Sequence, residues 1–235
     1  MKVKYIPVLV FSSLMVLIQL VAQSTGNVYH LTQLTMTAYY SLLVAGLCML
    51  TGYAGQISIG HAGFFAIGGY LSAFLTTHDL STLKNKDLVS LFGKMGILTV
   101  RPDLYGGDLT AFHPWAACII AVCVAVIIAY MIGGPVLKLK GHYLAMATLG
   151  FGIIVYRVVL GSSPLGAADG ITDVPAFRLL PGIEVTGKGS ARVMNYYLAW
   201  GIVAAGMILL LNLIHSRVGR ALTAIHGAAD AAAAT

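Results

Sequence analysis

Gly52-Tyr53-Ala54-Gly55-Gln56-Ile57-Ser58-Ile59-Gly60-His61-Ala62-Gly63 sits inside a run, residues 5–78, that carries no Asp, Glu, Lys or Arg. Such a run reads as membrane-embedded, yet this string is polar and rich in glycine. Each glycine lowers helix stability by up to ~1 kcal/mol relative to Ala and permits turns that other residues resist. In hydrocarbon every peptide N–H and C=O must be paired within the protein. A helix broken here is therefore expected only where it is shielded by protein or lines a watery cavity.

The rest of the chain agrees with a membrane setting. Only 9% of the residues are charged and 58% are hydrophobic, with a mean hydropathy of +0.87, whereas soluble domains carry about 25% charged residues. Six stretches approach the ~20 residues that a bilayer requires: 5–22, 31–51, 57–77, 113–134, 142–161 and 194–214. The fold class expected is all-α, a polytopic integral membrane protein of about six transmembrane helices, one of them broken by glycine. The segments between spans, chiefly 78–112 and 162–193, are too short and polar for a second folded domain, so residues 1–235 read as a single transmembrane domain.

Charge distribution sets the expected orientation. With a cytoplasmic N-terminus, the inner segments hold Lys2, Lys4, Lys138, Lys140, Arg217 and Arg220 against one acid, Asp230. Segments 78–112 and 162–193 then lie outside, with basic and acidic residues in equal number. This is the bias of the positive-inside rule. The formal charge of +6 does not point to nucleic acid, because the basic residues are spread over loops and not gathered on one face. Lys2 and Lys4 before an apolar run could open a signal peptide, but the run to Ala22 exceeds the usual ~7–15-residue core, favouring an uncleaved anchor helix. Cys48, Cys118 and Cys123 fall within spans without C-x-x-C spacing, so they read as packing residues.

Several residues stand out within the spans. His30, Gln33, Thr37 and Ser41 share one helical stripe, fit either for helix-to-helix hydrogen bonds or for solute contact. Ser58, Ala62, Ala66, Gly69 and Ala73 form a small-residue seam that predicts close approach of a neighbouring helix. Gln56 and His61 read either as a hydrogen-bonded pair holding the break in shape or as groups touching a solute. Pro114-Trp115 marks a helix start at an interface, and Gly133-Gly134-Pro135 its end. A second string, His142 to Gly152, is again rich in small residues and contains Thr148. Arg157 reads as a headgroup-facing side chain or a carboxylate partner.

No catalytic arrangement stands in a span: neither H-E-x-x-H nor G-x-S-x-G nor a carboxylate pair occurs there, so neither an enzyme nor a metal site is expected. Gly182 to Gly189 approaches a phosphate-binding loop, but Gly189 stands where Ser or Thr is required and no strand is expected before it. No cofactor is expected on this chain, and any ATP would be bound by partner subunits.

Gly52 to Tyr70, Leu137 to Gly152 and Ser216 to His226, taken together and in this order, resemble the permease subunits of branched-chain amino-acid ABC importers. The resemblance covers nearly the whole chain. It implies a subunit of the bacterial inner membrane that carries aliphatic amino acids from periplasm to cytoplasm. Its implied partners are a second permease subunit, two cytoplasmic ATP-binding subunits and a periplasmic substrate-binding protein. Residues 215–235 would then begin the cytoplasmic coupling loop, with Arg217, Gly219, Arg220 and Asp230 as the contacts to the ATPase. Gly52, Gly55, Gln56, Ser58, Gly60, His61, Gly63 and Thr148 are the expected substrate pathway. Two departures stand out: Ile153 where many relatives carry Glu, and Leu165-Gly166-Ala167 where they carry Thr-Gly-Gly. Relatives also continue past the coupling loop through further helices, so a truncated or incompletely sequenced protein is expected. The alternatives are a urea or amide permease of a sister family, and a truncated membrane scaffold that does not transport.

Overall fold

Apolar runs of this length can pair their backbone only with themselves, and helices result. In the computed structural model the described residues are 5–80, 93, 96–102, 108–139, 141–180 and 182–227. Lys2, Lys4, Lys140 and Asp230 lie outside them. The helices are α1 (Ile6–Ser24), α2 (His30–Tyr53), α3 (His61–Thr77), α4 (Pro114–Val136), α5 (His142–Gly161), α6 (Arg192–Ile214) and α7 (Arg217–Gly227). Four short strands occupy the connecting segments: β1 (Leu98–Pro102), β2 (Asp108–Phe112), β3 (Phe177–Leu180) and β4 (Ile183–Val185). The fold is that of an all-α, multi-pass membrane protein.

Five of these helical stretches, α1, α2, α4, α5 and Gly189–Ile214, are long and apolar enough to cross a bilayer. The sixth expected span differs. Its helix begins at His61 and not at 57, and its 17 residues rise about 26 Å, short of the ~30 Å hydrocarbon core. The missing length is the glycine-rich string, which has left the helix.

The chain divides into two compact units, Met1–Ser58 with Leu179–Thr235, and Ile59–Arg178. In the first, Leu31 and Ala38 of α2 pack on Tyr196, Ala199, Trp200 and Val203 of α6, with Phe11 and Met15 of α1 against the same cluster. Ala38, Ala199 and Gly206 keep the helices close; a Cβ on Gly206 would lie 2.6 Å from Leu42 Cδ1. The helix α1 is bonded to α6 along its length. The Tyr5 hydroxyl donates to Asn212 Oδ1 at 2.8 Å, Tyr196 to the Met15 carbonyl at 2.8 Å and Tyr197 to Gln19 Oε1 at 2.8 Å. This order makes the two helices antiparallel. Gln19, only 3% exposed, passes its amide on to Gln23 Oε1 at 2.7 Å, as a buried polar group must. Ser216 caps α7, accepting from Val218 N and Gly219 N at 3.1 and 3.3 Å. A Cβ on Gly219 would run into the carbonyl oxygens of Leu213 and Ile214.

In the second unit α3 packs against both α4 and α5. Ala117 and Ala121 of α4 are buried, and Phe64 of α3 lies 4.8 Å from Phe151 of α5. The antiparallel pair β1–β2 aligns Leu98 with Phe112 and Val100 with Thr110. It ties the exit of α3 to the entry of α4: Leu80 N donates to Thr110 O at 2.8 Å, and His113 N to Ile97 O at 2.7 Å. The cysteines are free, and Cys48 and Cys123 are exposed. Those two do not pack as expected, whereas Cys118 is half-buried.

Tyr196, fully buried, separates two contributions. Tyr196→Phe, which removes the bond to Met15, is expected to cost about 0.6–2 kcal/mol, and Tyr196→Ala about 3–5 kcal/mol through the cavity left behind. Reversible unfolding in mixed micelles measures both; equal losses would mean that the ring contributes nothing beyond its hydroxyl.

Candidate functional site

The break begins at the end of α2. Ala54 N closes on Leu50 O at 3.1 Å, Gln56 N reaches the same carbonyl at 3.3 Å, and Gly55 between them adopts φ +65°, a left-handed turn costing an L side chain ~1–2 kcal/mol. After a few residues outside any helix, Ile59 N donates to Thr148 Oγ1 of α5 at 3.0 Å, while that hydroxyl donates to Ala145 O at 3.0 Å. Thr148 thus acts as both acceptor and donor, and a backbone group freed by the break recovers a partner. The helix resumes with Gly63 N on Gly60 O at 3.0 Å.

Two glycines allow this approach. A Cβ on Gly60 would stand 3.0 Å from Thr148 O, and one on Gly63 2.9 Å from Phe151 Cε1. Both are buried. Gly69, by contrast, has open space where its Cβ would stand. The seam expected over Ser58, Ala62, Ala66, Gly69 and Ala73 is therefore corrected: Ser58 precedes the helix, Ala62 and Gly69 are exposed, and the close face is Gly60–Gly63. A helix starting at 61 removes Ser58 from the phase that the seam assumed.

Beside this contact lies a cavity of about 540 Å³, a size ordinary for small-molecule sites. Ile59, Ala62, Gly63, Ala66 and Tyr70 form one wall, Leu149, Gly152, Ile153, Tyr156 and Leu160 of α5 another, and Ala167 and Ala168 one end. Among the described residues no charged one lines it. Its polar side chains are Tyr70 and Tyr156, and its small residues make the room. The cavity can take an aliphatic group against its walls and offers hydroxyls at their edge.

Of the expected pathway residues, Gly60, Gly63 and Thr148 come together, and Gly63 lines the cavity. Gly52 lies in the last turn of α2, exposed, and Gln56 and Ser58 are half-buried in the break. The Nδ1 atom of His61, first residue of α3, is buried and has no hydrogen-bond partner among the described residues. The cavity-lining role of Tyr70, Tyr156, Ile153 and Ala66 was missed. The three- and four-residue spacing of Leu149, Ile153, Tyr156 and Leu160 was the available signal. Arg157 is exposed and does not line the cavity. On α2, the Thr37 and Ser41 hydroxyls donate to the carbonyls of Gln33 and Thr37 at 3.0 and 2.8 Å, bonds within their own helix. Arg217 and Arg220 are exposed on α7 and Gly219 is buried. At Gly182–Gly189 a strand does precede the segment, contrary to expectation, but Ile183–Val185 is itself extended, so the stretch is no phosphate-wrapping loop.

A multi-pass helical protein with an interrupted helix beside an uncharged cavity has an architecture that membrane transporters use. Residues 29–235 match the family described as branched-chain amino acid transport system / permease component, and the chain belongs to that family. It is similar to the high-affinity branched-chain amino acid transport system permease protein LivM of Salmonella typhimurium (strain LT2), 31% identical over 142 residues. LivM of Escherichia coli (strain K12) shows the same identity over the same length. Each match covers 60% of this chain and 26% of the relative, so the chain spans about a quarter of the length of the curated relatives it matches. No solved structure matches it.

The close contact yields a graded expectation. Gly60→Ala and Gly63→Ala should each cost about 1–3 kcal/mol by overpacking, while Gly69→Ala should be neutral or stabilise by up to ~1 kcal/mol. Thr148→Val, which orphans the Ile59 N–H, should cost about 1–3 kcal/mol, and Thr148→Ser should retain the bond. Thermal melting in lipid nanodiscs measures the series, and no loss in Gly60→Ala, Gly63→Ala and Thr148→Val alike would remove the contact's structural role.

Proposed function

We propose that this chain is permease material of an ABC importer that moves branched-chain, aliphatic amino acids from periplasm to cytoplasm across the bacterial inner membrane. The observation that carries the reading is the uncharged cavity beside the broken helix, in a chain of this family. An aliphatic side chain gains about 25 cal/mol per Å² of apolar surface on leaving water for such walls. The carboxylate of the zwitterion meets the N-terminal end of α3, where first-turn N–H groups and the helix dipole favour negative charge. The ammonium meets the tyrosine oxygens, and no fixed counter-ion is required.

In this reading residues 1–235 act as a single permease domain with a cytoplasmic N-terminus, and segments 78–112 and 162–193 face outward to receive a substrate-binding protein. The helix α7, with Arg217, Gly219 and Arg220, and the sequence after it, with Asp230, engage cytoplasmic ATP-binding subunits that hold and hydrolyse the ATP. A second permease subunit completes the conduit. Closure of the ATPases moves the glycine-broken helices, so that the cavity opens alternately to each side.

Co-expression with candidate ATPase subunits, followed by vesicle uptake of radiolabelled leucine, tests the reading. Ala66→Phe, which fills the cavity from α3, should lower leucine uptake about ten- to a hundredfold, the equivalent of 1–3 kcal/mol of overpacking, with membrane insertion intact. Excess urea should not compete. Uptake unchanged by Ala66→Phe would remove the cavity from the pathway, and competition by urea would move the chain to the amide branch.

A further inference from the structure

One end of the cavity beside the break is closed by Ala167 and Ala168, which lie in the connection between α5 and β3. We propose that this connection is a lid, held shut over the cavity by Arg101 of β1 against a strain in its own backbone. The inference deepens the transport reading and rests on it for the solute and for the outward side of the lid.

The lid is a compact turn whose backbone bonds run within itself. Leu165 N and Ala167 N donate to Ser162 O at 3.0 and 3.3 Å, Gly166 N to Ser163 O at 3.0 Å, and Gly170 N to Gly166 O at 3.1 Å. Gly166 and Gly170 take φ +78° and +76°, and a Cβ on Gly166 would run into the Gly170 carbonyl. Ala167 between them takes φ +45°, a left-handed conformation that glycine adopts freely and an L side chain resists. Such a residue persists only where its surroundings over-determine it, and strain of this kind gathers at clamps and switching segments.

The hold comes from a residue 72 positions away in sequence. From Gly170 to Ala176 the chain has no helix or strand, and in the middle of that stretch Arg101 donates from Nη1 to the Asp173 carbonyl at 3.1 Å. Its Nη2 pairs with the Asp173 carboxylate at 4.0 Å. Asp173 is also left-handed, at φ +61°, a conformation that Asp tolerates better than Ala. The Arg101 side chain is only 21% exposed, which shelters its charge-assisted bond from water. Its strand is fixed by the ladder to β2, so the clasp has a firm base. Two opposed tendencies then meet in one segment: Ala167 gains by leaving its conformation, and Arg101 prevents it. Release of Asp173 lets Ala167 relax and uncovers the cavity end, as lids over binding sites do.

Thiol accessibility tests the lid. With Cys48, Cys118 and Cys123 replaced by Ala, Ala66→Cys places a thiol on the cavity wall, and Ala117→Cys places one at a buried position of α4 outside the cavity. In nanodiscs lipid covers the flanks of the chain, so a charged methanethiosulfonate reaches position 66 through an end of the cavity. Arg101→Gln should raise the labelling rate at position 66 about tenfold, the loss of a charge-assisted hydrogen bond, and Arg101→Lys, which keeps the charge and a donor, should recover most of the protection. Ala167→Gly, which removes the strain, should slow labelling about threefold. The rate at position 117 should stay low throughout. An unchanged rate at position 66 in Arg101→Gln, an equal rise at position 117 or faster labelling in Ala167→Gly would overturn the proposal. Leucine uptake with the ATPase subunits is measured separately. Labelling that responds as expected in a chain that takes up no leucine would keep the lid and remove the transport reading, and uptake with unresponsive labelling would do the reverse.

Discussion

A peptide group in hydrocarbon has no water to fall back on, and an unpaired one costs several kcal/mol. The single bond from Ile59 N to Thr148 Oγ1 therefore matters beyond its own strength. It lets the chain leave the helix ahead of α3 and re-enter it four residues later than its hydropathy suggests. Thr148 can serve because a hydroxyl accepts and donates at once: its proton goes to Ala145 O within α5 and its lone pair remains for the break. Valine is nearly the same shape and could do neither.

The same contact explains the division of labour among small residues. Gly60 and Gly63 are small because a neighbour occupies the space a Cβ would take, whereas Ala62 and Ala66 are small because the adjoining space is left open as cavity. Close packing on one side of α3 fixes its distance from α5, and that fixed distance keeps the cavity from collapsing. Glycine at 63 contributes to both surfaces. A hydrophobic, uncharged wall then follows from the bilayer itself, since a lone charge at this depth would need a partner that no neighbouring wall residue provides.

Much of the fold was legible, because hydrocarbon restricts the chain to so few conformations. The α5 boundaries, His142 to Gly161, coincide with the expected span, since Gly141, the residue before the helix, takes φ +59° and so sets where it starts. Where the sequence misled, a tertiary partner had intervened. The start of α3 depends on Thr148, nearly ninety residues away, and no local pattern encodes that distance. The β1–β2 pair was missed because Leu98 to Phe112 lies in a polar connection where backbone pairing across the ends of α3 and α4 outweighs weak local propensity. Of the site, the glycines could be named from composition alone. The cavity's tyrosines could not, because Tyr70 and Tyr156 read as ordinary membrane aromatics until the rotation of each helix is known.

The antiparallel bonding of α1 to α6 shows how a helix without any charge still acquires a specific seat. Between apolar helices in lipid the hydrophobic effect offers no preference for one register over another. Tyr5, Tyr196 and Tyr197 each reach a partner at a different height along the pair, and sliding by one turn would break all three and take from Gln19 Oε1, in a buried place, the donor it has in Tyr197. The energetic asymmetry lies less in the bonds formed than in the desolvated groups that any other register would strand. Register in this unit is thus specified by a few polar atoms on helices that are otherwise interchangeable with lipid. The break in the other unit follows the same rule: where hydrocarbon withholds water, one hydroxyl correctly placed decides the conformation of many apolar residues around it.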